Sequence, residues 1–209
     1  METERADGIV LRVQPVTESI LLVLWFTREF GKLKTLAKGA RRPKSPMRGR
    51  LDLFYEDEIT FLRSRRSDLH LLNECFLENP HPALRVSVPV LTAASHVCEL
   101  VDALTVVEDA HPDLFSLLAE MLTGLETSVT PAQLIWFELQ AFAVTGWKPV
   151  FDGETGTAKV MRSLAGASAA AASRVRLTDE QTRAAQDFLE GFRQAHLGRP
   201  LRSKLSRAV

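Results

Sequence analysis

Cysteine is nearly absent from this chain: its 209 residues hold two, Cys75 and Cys98. Two lone cysteines in what read as separate elements build no disulfide framework, and without a Cys-x-x-Cys pair there is no zinc ribbon. Both are expected to be small buried hydrophobes. Among the five histidines only His96, beside Cys98, comes near a ligand spacing. On a helix an i, i+2 pair points about 200° apart, so neither a metal nor any other cofactor is expected. Long apolar runs are missing as well. None approaches the ~18 residues that span a bilayer, and the opening METERADG lacks the charged-then-apolar layout of a signal peptide. A cytoplasmic protein with no membrane partner is expected. Nor is there a G-x-S-x-G elbow, a Walker loop, a G-x-G-x-x-G turn or an H-E-x-x-H helix. Acid pairs such as Glu56 with Glu58, or Asp57 with Asp68, read as solvated strand faces. No catalytic residue is assigned, and the chain is not expected to be an enzyme.

Charge is present in quantity but segregated. Lys plus Arg equals Asp plus Glu, 26 of each. Residues 1–75 carry 14 basic against 11 acidic side chains, residues 76–160 carry 3 against 11, and residues 161–209 carry 9 against 4. Between positions 28 and 50 nine basic residues face a single acid, Glu29. A polyanion is the simplest partner for such a stretch.

The hydrophobic pattern changes period near residue 80. Before it, Ile9–Val13, Ser19–Phe26 and Lys32–Lys38 are short, rich in Val, Leu and Ile, and broken at Gln14-Pro15 and Phe30-Gly31. A longer run then places Leu53, Tyr55, Ile59 and Phe61 on one face, with Asp52, Glu56 and Glu58 mostly on the other. Ser67–Cys75 supplies a fifth strand. Five strands, the long fourth one able to bend across, suit a Greek-key barrel of the OB type over residues 1–78. An SH3-like barrel is the competing assignment.

Residues 79–209 read as an α-helical bundle, making the whole chain α+β. Val90, Ala93, Ala94, Val97, Val101 and Leu104 form one helical stripe, and Leu114, Leu117, Leu118, Met121, Leu122 and Leu125 a second. Thr130-Pro131-Ala132-Gln133 is a capping box that opens a third helix, apolar nearly all round and therefore central. Around 150–175 the pattern degrades into FDGETG and AGASAAAAS, either a loop with one turn of helix or a poorly ordered insert. Thr178-Asp179-Glu180-Gln181 caps a last helix, which Gly198 and Pro200 end before the basic tail RPLRSKLSR.

The binding candidates lie in the first half. Lys32, Lys34 and Lys38 share one side of a strand, and Gly39 then turns the chain. Arg41, Arg42 and Lys44 follow on a loop stiffened by Pro43 and Pro46, with Arg28 before the strand and Arg48 and Arg50 leading into the next. Each cation reaches a phosphate without reading sequence. Trp25, of opposite strand parity to Phe26, is the candidate outward platform for a stacked base. Phe26 and Phe54 are assigned to the core.

The run LLVLWFTREFGKLKTLAKGARRPKSPMRGRLDLF resembles the amino-terminal signature of the bacterial RecO family of DNA repair and recombination mediators. So do ECFLENPHPAL, CELVDALT and FLEGFRQAHLGRPLRSK, in order along the chain, with KGARR the most specific piece. The resemblance implies an OB-fold domain that binds single- and double-stranded DNA, and a helical domain. It further implies strand annealing, cooperation with RecR, and loading of the RecA recombinase onto strands coated by single-stranded DNA-binding protein, whose acidic tail is a partner. No catalytic site is implied, and the place of work is the nucleoid. Carried onto this chain, the DNA contacts fall on Lys38, Arg41, Arg42 and Lys44, with support from Lys32 and Lys34. Arg199, Arg202 and Lys204 match the family's basic carboxy-terminal motif and, beside the Phe188/Phe192 stripe, are the candidate acidic-tail site. Many family members carry a four-cysteine zinc ribbon before the last helix, where this chain has FDGETG and alanines. Two rivals remain: an adaptor whose basic patches bind acidic protein segments, and a metal-dependent nuclease.

Overall fold

A computed structural model describes residues 2–151 and 155–203. The chain divides into two compact units, Met1–His81 with Thr105–Ser116, and Pro82–Leu104 with Leu117–Val209.

The first unit is a closed five-stranded barrel of β1 (Glu2–Pro15), β2 (Leu21–Thr27), β3 (Gly31–Ala37), β4 (Glu56–Arg63) and β5 (Leu69–Asn79). Its strand order is β1-β2-β3-β5-β4, closed by β4 on β1, with β3 and β5 parallel and the other pairs antiparallel. This Greek-key closure is the OB-type arrangement and decides against the SH3-like alternative. The strand that bends across is β1, whose register shifts between Val10 and Arg12 as it passes from β4 to β2. The fourth strand starts later than its pattern suggests. Phe54 is buried at a left-handed φ of 68°, which ends the extended run, and regular pairing begins at Glu56.

Alternation sets the barrel interior. Val10, Val23, Trp25, Leu33, Ala37, Ile59, Phe61, Leu72 and Cys75 form one core. Residues 105–116 pack on the outside of β2 and β3. Glu108 donates its N–H to the Lys32 carbonyl at 2.9 Å, and the Phe115 ring lies 6.2 Å from that of Phe26. Gly31, at φ +65°, permits this approach, because a Cβ there would stand 1.8 Å from the Asp109 carbonyl oxygen.

The second unit holds α1 (Val88–Leu104), most of α2 (Pro112–Leu125), α3 (Pro131–Val144), α4 (Gly156–Ala165), α5 (Ala169–Ala172) and α6 (Asp179–His196). Both capping boxes form: Thr130 Oγ1 accepts from Gln133 N and Thr178 Oγ1 from Gln181 N, each at 3.2 Å. Every residue of α3 from Ala132 to Leu139 is buried, as its all-round apolar sequence requires. The alanine-rich stretch is more ordered than its composition suggests. Thr155 and Ser168 cap α4 and α5, and Ala158, Met161, Leu164 and Ala172 are buried. α4 buries Ala158, Met161 and Leu164 along one stripe, whereas the all-alanine α5 carries no periodic signal and is set by packing on α3. Among the described residues no helix is long and apolar enough to cross a membrane.

Candidate nucleic-acid interface

The β3–β4 connection, residues 38–55, is a long loop with a built interior. Ala40, Met47 and Leu51 are buried in the barrel core and tie it down. Between these anchors the backbone makes successive turns: Arg42 N to Gly39 O, Ser45 N to Arg42 O, Arg48 N to Ser45 O and Arg50 N to Met47 O, at 3.0–3.2 Å. Gly39, at φ +73°, opens the series in a conformation that L side chains rarely adopt. The consequence is polarity: apolar side chains turn in, and Lys38, Arg41, Arg42, Lys44, Arg48 and Arg50 are left exposed.

These six cations have no carboxylate within ion-pair distance among the described residues; the guanidinium contacts are to carbonyls. Arg41 donates to Thr17 O in the β1–β2 turn, Arg48 to Pro43 O and Arg50 to Cys75 O, each at 3.4 Å. Such long bonds to neutral acceptors leave these cations without an ion pair and able to meet phosphate oxygens.

The remaining candidates are placed differently. Arg28 lies over the Phe115 ring at 4.5 Å, donates to Ser116 Oγ and sits 3.8 Å from Asp7. Lys34 is paired with Asp68 at 2.6 Å. Lys32 is buried on the side of β3 that residues 107–108 cover, so it does not join Lys34 and Lys38 on an open face. Trp25 is not an outward platform. It is fully buried in the barrel core and donates its indole N–H to Thr35 Oγ1 at 2.9 Å. Opposite parity does place Phe26 on the other face, but Phe115 covers that face, so both aromatics are buried.

Sequence reasoning missed Arg65 and Arg66. Both are exposed on the β4–β5 turn, which the pairing of Lys34 with Leu69 places at the end of the barrel away from the basic loop. The dipeptide sits in SRRSD and was visible as a turn. It also missed Asp57, which shares the parity of Ile59 and Phe61 and therefore faces inward.

In the helical unit the tail is docked. Arg199 pairs with Asp102 and lies 3.6 Å from Glu99, whose carboxylate also accepts the backbone N–H groups of Arg202 and Ser203 at 2.8 Å. Those backbone N–H groups and Arg199 outweigh the burial that would raise the Glu99 carboxyl and hold it below its ordinary value. Beneath, in a cavity of about 500 Å³, His96 bridges Ser203 Oγ at 3.1 Å and Glu138 at 2.9 Å, and Arg193 pairs with the other Glu138 oxygen. Burial alone would raise the Glu138 carboxyl, but His96 and Arg193 hold it low. Phe188 and Phe192 lie at the other edge of the buried stripe of α6. There Phe192 packs edge-on against Phe142 at 4.9 Å, and Phe151 stands 5.2 Å from Phe188. The tail and the phenylalanine stripe are therefore not one groove. Of the basic trio, Arg199 is committed to α1, the Arg202 side chain is exposed, and Lys204 lies outside the described residues. No group of three or more His, Cys, Asp or Glu side chains is arranged to hold a metal ion among the described residues.

A closed OB-type barrel with an anchored loop of exposed cations, followed in sequence by a helical unit, defines an OB-fold protein with a cationic loop. The sequence matches the family models described as Recombination protein O N terminal, over residues 1–81, and Recombination protein O C terminal, over residues 88–157. The chain belongs to the recombination protein O family. Among its relatives, the DNA repair protein RecO of Syntrophus aciditrophicus is 32% identical over 151 residues, 72% of this chain and 58% of that protein. The DNA repair protein RecO of Pelotomaculum thermopropionicum is 33% identical over 152 residues, 73% of this chain and 59% of its own length. The chain thus spans just under three-fifths of the length of these curated relatives.

Proposed function

We propose that the chain is a DNA repair and recombination mediator. It binds single- and double-stranded DNA through the β3–β4 loop, anneals complementary strands, and helps load RecA onto strands coated by single-stranded DNA-binding protein, in concert with RecR. The observation that carries this reading is the anchored loop whose six exposed cations have no carboxylate within ion-pair distance among the described residues. The names of the relatives, DNA repair protein RecO, agree with it. No bond is broken in this activity. Two strands whose phosphates lie on one cationic surface repel each other less, so their encounter is faster. A cytoplasmic, nucleoid-associated location follows from that role.

The test is Arg41→Ala with Arg42→Ala. The double variant should weaken single-strand binding alike for every sequence. It should also shallow the slope of log K against log salt by about 0.7 per lost phosphate contact. An unchanged slope in a folded protein would move the DNA site away from the loop.

A further inference from the structure

Asp57 is the least accommodated side chain of the barrel. It points inward from β4, opposite Gly8 of β1 and Leu77 of β5, and is 1% exposed. Neither carboxylate oxygen has a hydrogen-bond donor in the described chain, whereas buried carboxylates ordinarily have several. Arg50, the last arginine of the basic loop, acts on it electrostatically and donates to the Cys75 carbonyl of the neighbouring β5 at 3.4 Å.

We propose that Asp57 is a positioning residue for the nucleic-acid loop: ionised, it draws Arg50 down onto the β4–β5 seam; protonated, it releases that guanidinium to a phosphate. Nucleic-acid binding then takes up a proton. The inference rests on the reading of the loop as the nucleic-acid site.

The surroundings fit a group poised between its two states. Burial first, and the charge of Glu78 second, push the Asp57 carboxyl up to about 7, with Arg50 opposing them. From β5 the facing groups are Glu78 and Cys75, and the thiol, pushed up to about 12 by burial and by Asp57, does not titrate near neutrality. On β4 itself Glu56 is held by His81 at 2.7 Å and Glu58 by Arg5. On β1 the residue opposite is Gly8, which carries no charge, and its neighbour Asp7 lies beside Arg28. A phosphate that engages Arg50 removes the one stabilising cation and adds negative charge, so it raises the Asp57 carboxyl further. By linkage, affinity must rise as pH falls through about 7 and fall as pH rises through it.

Binding of a single-stranded oligonucleotide by the full chain, measured by fluorescence anisotropy at fixed salt from about pH 6 to about pH 8, tests this. The native chain should lose affinity on going up in pH by about fivefold more than Asp57→Asn does, the lower end of coupling between sites. In an Arg50→Gln background, Asp57→Asn should no longer change the pH profile. Parallel profiles for the native chain and Asp57→Asn would overturn the inference and leave the loop as the binding site. If no oligonucleotide binds at any pH, the nucleic-acid reading fails, and a second measurement decides the coupling alone. In a carbon-13 carboxyl titration of the free protein, the Asp57 midpoint should lie near neutrality and move up in Arg50→Gln. A midpoint in the ordinary carboxylate range, or one indifferent to Arg50, overturns the coupling.

Discussion

Trp25 shows how a single side chain is placed by what lies on both sides of its strand. Its ring packs on Gly8, where a Cβ would come within 3.1 Å of the indole, and its N–H is satisfied by Thr35. A buried indole with a partnered N–H is a core element, and its loss is a loss of stability. Trp25→Ala should cost about 3–5 kcal/mol in urea unfolding. Trp25→Phe, which strands Thr35 Oγ1 without its donor, should cost about 1–3 kcal/mol. Oligonucleotide affinity per folded molecule should be unchanged in both. Weakened binding with native stability would restore Trp25 to the interface.

At the scale of elements, the β3–β4 loop and the end of α6 put basic residues to opposite uses. The loop buries Ala40, Met47 and Leu51 and leaves its cations exposed. The tail instead gives Arg199 to Asp102 and its backbone N–H groups to Glu99. Arg202 alone keeps an exposed side chain among the described tail cations, so it is the residue through which the tail would recognise an acidic protein segment. Arg202→Glu should lower affinity for a peptide copying the acidic tail of a single-stranded DNA-binding protein more than it lowers affinity for DNA. Equal peptide binding by the reversed protein in isothermal titration would place that partner elsewhere, with the barrel's basic loop the next candidate. Removing the Glu99 side chain would free the backbone of residues 202–203, so Arg202 is the cleaner probe.

For the whole molecule, the decisive question is whether the basic surface accelerates pairing. The pure chain should speed annealing of complementary oligonucleotides, measured by fluorescence quenching. The gain should shrink as salt screens the loop over a Debye length of ~10 Å at 0.1 M. Binding to acidic peptides without any gain in annealing would favour the adaptor instead, and disappearance of the strands with a divalent metal would indicate a nuclease. Residues 76–160 carry 11 acids against 3 bases, a balance that repels a DNA backbone. That distribution confines the expected contacts to the barrel and the tail.

Local chemistry alone determined much of this protein. Alternation marked the strand runs, two capping boxes fixed the starts of α3 and α6, and the nine-to-one charge count singled out the basic loop. These features act within a few residues, so they are written in the order of the chain. What only tertiary structure decided involves residues distant in sequence. Residues 105–116 return to cover Phe26 and Lys32, which no period in β2 or β3 announces. The alanines of α5 became a helix because α3 offered a surface to pack on. Arg199 was spent on Asp102, 97 positions away, and Asp57 lost its solvent when β1 and β5 closed around β4. Burial and pairing are properties of neighbours in space, and the sequence names the groups without saying which of them will meet.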